Sequence, residues 1–218
     1  MPESLNIAIV LCSSRKPRVC PQIARFVKNC ILDSSPVLTD LQKPELTLID
    51  LEKWNLPLFD ESGIPSQIKN GKYDHEHTRA WSREIQKYDG FIFVVPQYNW
   101  GYPAVVKNAI DFLYHEWSNK AALVVSYGGH GGSKCNAQLT EVLQGVKMIP
   151  VEGGVQLAFP DRETLVKAVQ GAEIAMAAND SDSGAAIWSE ERKTIAEAFQ
   201  KLLDTIMSTK VKTVLSEK

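Results

Sequence analysis

Short apolar runs alternate along this chain with stretches whose apolar residues recur at helical spacing. Leu5 to Leu11 (LNIAIVL) lacks the in–out alternation of a half-exposed strand, as expected of a strand covered on both faces. Pro21 then opens a helix in its favoured first-turn position, with Ile23, Phe26, Val27 and Cys30 as the apolar stripe. Leu46 to Asp50 (LTLID) reads as a second strand and Thr78 to Lys87 as a second helix. Gly90 to Val95 (GFIFVV), stopped by Pro96, is the clearest strand. Val106, Ala109, Ile110 and Leu113 share one face of a third helix, and Ala121 to Ser126 (AALVVS) follows as strand four. Leu139, Val142, Leu143 and Val146 mark a fourth helix. Val151 to Leu157 (VEGGVQL) is a fifth strand weakened by its glycine pair. Two further helices are predicted at Glu163 to Ala178 and Trp188 to Met207, separated by a polar linker, Asn179 to Gly184.

Strands separated by helices imply a parallel sheet, because parallel neighbours need long crossovers. Right-handed crossovers restrict the topology to a doubly wound α/β sheet with helices on both faces. Five strands suit the flavodoxin-like order 2-1-3-4-5, in one domain spanning 1–218 with additional helices from about residue 160. That order opens a ligand crevice at the carboxyl ends of strands one and three, so the loops there should carry chemistry.

Composition narrows the partners. The 24 Lys and Arg against 26 Asp and Glu leave a net charge of −2, which argues against non-specific nucleic-acid binding. No apolar run approaches the roughly 20 residues of a membrane span, and no secretory signal is visible, so a soluble cytoplasmic protein is the expectation. Cys12, Cys20, Cys30 and Cys135 form no C-x-x-C pair and read as reduced thiols packed as small hydrophobes. His75 and His77 lack a third ligand nearby and read as a solvated loop, so no metal site is expected.

Three loops stand out. Cys12 to Arg18 (CSSRKPR) sets hydroxyls and cations before a helix N-terminus, a pattern that suits a phosphate. It carries no G-x-G-x-x-G and no Walker motif, so a dinucleotide held in the Rossmann manner is not expected. Pro96 to Pro103 (PQYNWGYP) gathers three aromatics and two amides, suiting a planar ring or a partner subunit, against a plainer reading as core. Ser126 to Lys134 (SYGGHGGSK) has glycines that admit a ligand close to the backbone, and its His130 reads as a surface residue.

PQYNWGYPAVVKNAIDFL (Pro96 to Leu113) resembles the central motif of the NADPH-dependent FMN reductase family, a flavodoxin-like group. HEWSNKAALVVSYGGHGGSKCN (His115 to Asn136) is similar to fungal NAD(P)H-dependent quinone and FMN reductases, and LPLFDE (Leu56 to Glu61) to another family element. The resemblance runs from about Ile7 to Leu157. It implies one non-covalent FMN per subunit of a homodimer, with NADPH or NADH as co-substrate and a quinone or free flavin as acceptor. Ser13, Arg15 and Arg18 match the family's phosphate-loop Ser and two Arg; Cys12 replaces its usual Gly, a departure that bears on loop shape. Pro96, Gln97, Tyr98, Asn99 and Trp100 match the segment lining the flavin, and Ser126, Tyr127, Gly128 and Gly129 the loop on the other side of the ring. No catalytic side chain is implied, since the hydride chemistry belongs to N5 of the flavin.

Two rivals share these residues. Cys12-x5-Arg18 after a first strand also resembles the loop of low-molecular-weight tyrosine phosphatases, although Val19 stands where that family has Ser or Thr and no Asp-Pro-Tyr element follows. The same flavin pocket would also serve a redox sensor that binds a protein partner. Trp54, Trp81 and the 179–184 linker are candidates for its surface, against the plainer reading of core and dimer contacts.

Overall fold

The computed structural model describes residues 4–34, 44–178 and 186–216. The apolar runs become strands β1 (Asn6–Leu11), β2 (Glu45–Asp50), β3 (Gly90–Pro96) and β4 (Ala121–Gly128), followed by the short β5 (Ile149–Pro150) and β6 (Val155–Ala158). Every pairing is parallel, in the order β2-β1-β3-β4-β5, with β6 also on β4. The doubly wound, flavodoxin-like arrangement predicted from the alternation is therefore present.

Two expectations need correction. Val151 to Leu157 is not one strand: β5 pairs with Ala121–Ala122 and β6 with Val125–Gly128, and the chain loops out between them. Gly153 and Gly154 take φ of +80° and +55°, which no strand residue adopts. A Cβ on Gly154 would lie 2.7 Å from both Val124 O and Asn136 Nδ2, so the loop is pressed against β4 where only glycine fits. The helix expected over 163–178 is α6, Arg162–Val169. It stops at Gly171, φ +68°, and the chain continues extended to a bridge between Met176 and Ile187. The last helix, Ser189–Ser216, runs beyond the expected Met207, and the linker Asn179–Gly184 lies outside the described residues.

The remaining helices are α1 (Cys20–Asp33), the single turn α2 (Leu51–Trp54), α3 (Glu76–Gln86), α4 (Ala104–Asp111) and α5 (Ser133–Gly145); Ser189–Ser216 is α7. Strand alternation divides the core into two layers. Ile7, Ile9, Leu11, Ile92, Val94, Leu123 and Val125 pack beneath α1 and α7. Ala8, Val10, Phe91, Phe93, Val95 and Val124 pack beneath α3, α4 and α5. All four cysteines are buried in these layers, packed as small apolar side chains. No described helix is long and apolar enough to cross a membrane.

Trp81 belongs to the core rather than to a partner surface. It is fully buried, its indole N–H donates to Ala109 O at 2.8 Å, and its ring meets Trp54 edge-on at 4.9 Å. Trp81→Ala should lower the unfolding free energy by about 3–5 kcal/mol, read from urea melts. A loss below about 1 kcal/mol would contradict this packing.

Candidate functional site

β1, β3 and β4 lie side by side, so the loops that follow them leave the sheet at one edge. Side-chain hydrogen bonds then tie those loops together. The Ser13 and Tyr98 hydroxyls are 2.8 Å apart, joining the first loop to the second. Gln97 Oε1 accepts from Lys134 N at 3.1 Å and Cys135 N at 3.2 Å, so it caps the first turn of α5 and joins the second loop to the third. Gln97 N also donates to Tyr127 O at 3.0 Å.

Within the first loop the two arginines differ. The Arg18 guanidinium forks onto Asp50 with two 2.8 Å bonds, reaches Glu52 at 3.4 Å and also donates to Ser13 O. The Asp50 hydrogen bond raises its pKa further. Asp50 in addition caps α2 by accepting from Glu52 N at 3.2 Å. Arg18 is thus a staple between the loop and the end of β2, and most of its donors are already used. Lys16 pairs with Glu52 at 2.5 Å on the exposed outer side. Arg15 donates one bond, to Val169 O at 3.0 Å, and lies 5.9 Å from the Tyr98 ring centroid. Its Nε is buried without a partner.

The second loop turns sharply at Tyr98–Gly101, where the two residues exchange N–H···O bonds of 2.9 and 3.0 Å. Asn99 and Trp100 occupy the centre with φ of +45° and +70°. Two left-handed residues at these positions make a type I′ hairpin turn, routine for Asn and costly for Trp. Trp100 is 68% exposed, so the core reading of this residue is excluded. Pro96 is the last, buried residue of β3.

In the third loop Ser126 and Tyr127 act through architecture. Ser126 Oγ donates to Gly131 O at 2.8 Å, closing the turn, and the buried Tyr127 ring packs edge-on against Phe159. The backbone of Tyr127 accepts from Gln97 N of the second loop, whereas Gly129 and His130 are exposed. Gly131 and Gly132 take φ of +71° and +78° and bring the chain into α5.

The Cys12 side chain turns away from the loop. It is fully buried, its Sγ donates to Val10 O at 3.4 Å, and burial pushes its pKa well above the ordinary thiol value. A thiolate nucleophile is therefore disfavoured here, which removes the phosphatase reading. The same placement explains how a Cys stands where the family has Gly, since its side chain adds nothing to the loop surface. His75 and His77 stack with ring centroids 5.0 Å apart, and His77 Nε2 lies 2.8 Å from Asp60. Among the described residues no three metal-ligating side chains gather.

The donor set fits a phosphate. Among the described residues, no protein acceptor takes the N–H groups of Ser14, Arg15 or Lys16, and the unpaired Arg15 Nε adds a charged donor beside them. An open cleft of about 560 Å³ adjoins this loop, lined by Ser14, Lys16, Leu56, Leu58 and Val105 among others. A wider cleft of about 770 Å³ between α1 and residues 173–178 contains Arg192 of α7, already paired with Asp33 at 2.9 Å, and lacks such a loop. Sequence reasoning missed Asp50, although an acidic residue closing the strand beside β1 is its signal. It also missed that α6, itself expected as a helix, reaches Arg15 through Val169 O, because its region carries no motif.

Comparison with known proteins identifies the chain's relatives. The profile of the family described as NADPH-dependent FMN reductase matches residues 5–161. The NAD(P)H-dependent FMN reductase of Saccharomyces cerevisiae is 52% identical over 159 residues, covering 72% of this chain and 82% of that protein. One from Schizosaccharomyces pombe is 41% identical over 174 residues, covering 78% and 82%. Among solved structures, a flavoenzyme NAD(P)H:(acceptor) oxidoreductase from Paracoccus denitrificans shares the fold with a TM-score of 0.61 at 18% identity, covering 94% of this chain and 98% of that one.

The placements of Cys12 and Trp100 are both testable. Burial raises Cys12, takes Cys20 to about 11 and takes Cys135 to about 12, from an ordinary 9.0. Above pH 9 the unfolded chain releases protons that the folded chain keeps, so this contribution is full below pH 9 and is lost as pH rises. Cys12→Ala should flatten part of the fall in urea midpoint between about pH 8.5 and 10.5; an identical fall would place the thiol in solvent. Trp100→Gly should change stability by less than about 1 kcal/mol, because relief at positive φ offsets added chain entropy. A loss of several kcal/mol would contradict the exposed placement.

Proposed function

This chain belongs to the NADPH-dependent FMN reductase family, and from that premise we propose that it holds one FMN at the three-loop edge of the sheet. There it uses NADPH or NADH to reduce a small acceptor, a quinone or a free flavin. The observation that carries this reading is the pair of links, Ser13 to Tyr98 and Gln97 to the start of α5, which make one cradle of three loops. When bound, FMN would supply the two-electron redox chemistry between the nicotinamide and the acceptor.

The chain's own residues bind and orient. The N–H groups of Ser14, Arg15 and Lys16 and the Arg15 guanidinium hold the phosphate, while Arg18, spent on Asp50, fixes the loop's shape. Pro96, Gln97, Tyr98, Asn99 and Trp100 form one side of the ring site. The backbone of Gly128 and Gly129 forms the other, held in shape by Ser126 and Tyr127. Exposed Trp100, together with Leu58 and Ile64, offers apolar area to the second subunit of a homodimer. The quinone reductase of Escherichia coli, 27% identical over 149 residues, supports a quinone as one acceptor class.

Anaerobic NADPH should bleach the visible flavin band of the FMN-loaded protein, and a quinone should restore it. With both substrates varied, double-reciprocal lines should be parallel, because acceptor and nicotinamide use the same site in turn. A band that persists under both NADPH and NADH would overturn the proposal. Arg15→Ala should weaken FMN binding by about 10- to 150-fold, the loss of a charge-assisted bond, and leave the urea midpoint nearly unchanged. Undiminished affinity would remove Arg15 from the phosphate site.

A further inference from the structure

The matched family region ends at residue 161, yet the segment just after it packs onto both outer loops of the site. Phe159 N donates to Gly128 O at 3.1 Å, carrying the chain over the third loop. Asp161 then caps α6 through Thr164 N at 2.7 Å. Midway along α6, Leu165 Cδ2 lies 3.6 Å from where a Cβ on Gly129 would stand. At its far end Val169 O accepts from Arg15, the proposed phosphate ligand. Two residues later, Gly171 sits against the first loop so closely that a Cβ would fall 2.9 Å from Pro17 Cβ and 3.0 Å from Arg18 N. Gln22 of α1 anchors the next few residues, donating to Ala172 O at 2.9 Å and accepting from Ile174 N at 3.1 Å.

An eight-residue helix thus meets the glycine loop through Leu165 at its middle and the first loop through Val169 at its end. We propose that residues 162–171 form a third wall of the flavin site, and that Leu165 on this wall selects acceptors by size. The proposal rests on the FMN reading above. Leu165 is partly buried on the layer beneath α1 and α7, and its branched end reaches the exposed Gly129, part of the loop assigned above to the ring site. On this proposal the isopropyl group hinders a three-ring flavin acceptor more than a single-ring quinone. Arg15 couples the wall to the cofactor, because one guanidinium serves both Val169 O and the phosphate.

Two variants and two readouts test this. Wild-type protein should quench the fluorescence of added FMN, and Gly171→Val, which forces a branched side chain into Pro17 at positive φ, should raise the FMN Kd at least about tenfold. Leu165→Ala should retain its FMN content while the ratio of kcat/KM for free flavin to that for 1,4-benzoquinone rises at least about fivefold. Wild-type affinity in a folded Gly171→Val protein, or equal changes for both acceptors in Leu165→Ala, would overturn the proposal. If Gly171→Val does not fold, as judged by near-ultraviolet circular dichroism, the Leu165→Ala ratio decides alone. Wild-type protein that binds no FMN at all would instead sink the underlying flavin reading.

Discussion

The hydroxyls of Ser13 and Tyr98 stand 2.8 Å apart across 85 residues of sequence, and the rest of the site depends on that closure. It brings the phosphate loop against the aromatic loop, while Gln97, one residue earlier, clamps the aromatic loop to the first turn of α5. Both contacts are possible because parallel β1, β3 and β4 are neighbours, so their carboxyl ends share one edge. Covalently distant loops are thereby fixed to each other by short side chains on rigid strand ends, the arrangement that preorganises a binding site at least entropic cost.

Charge at the site follows a division of labour. Arg18 is neutralised by Asp50 and Glu52 and shapes the loop, whereas Arg15 Nε is buried without a protein acceptor. Equivalent placement in a sequence motif conceals this difference, because only the neighbouring strand end supplies the acidic partner. Buried Cys12 follows similar logic. Its thiol points into the layer under α3, α4 and α5, so a residue that departs from the family pattern leaves the loop's outer surface unchanged.

Much of this architecture is legible in the chain. The unalternated runs at Ile7–Leu11 and Gly90–Val95 announce strands buried on both faces, and the loops after them announce the site by unusual composition. The fifth strand misleads because Gly153 and Gly154 have apolar flanks on both sides, and only their positive φ breaks the run. Trp81 is ambiguous in sequence because helical spacing does not say which face meets a neighbour; the Trp54 and Trp117 rings settle it. Roles within the loops are less readable. Ser126 and Tyr127 sit in the recognised motif, yet their side chains serve the turn and the core, which depends on contacts with Gly131 and Phe159 that no local pattern encodes. The reach of α6 to Arg15 is invisible for the same reason.

If the three linked loops bind one FMN, cofactor-stripped protein titrated with FMN should quench the flavin's fluorescence until the site is full. Saturation at one FMN per chain, with a Kd of about 1 µM or tighter, is the predicted result. Unquenched fluorescence at about 100 µM protein would contradict it.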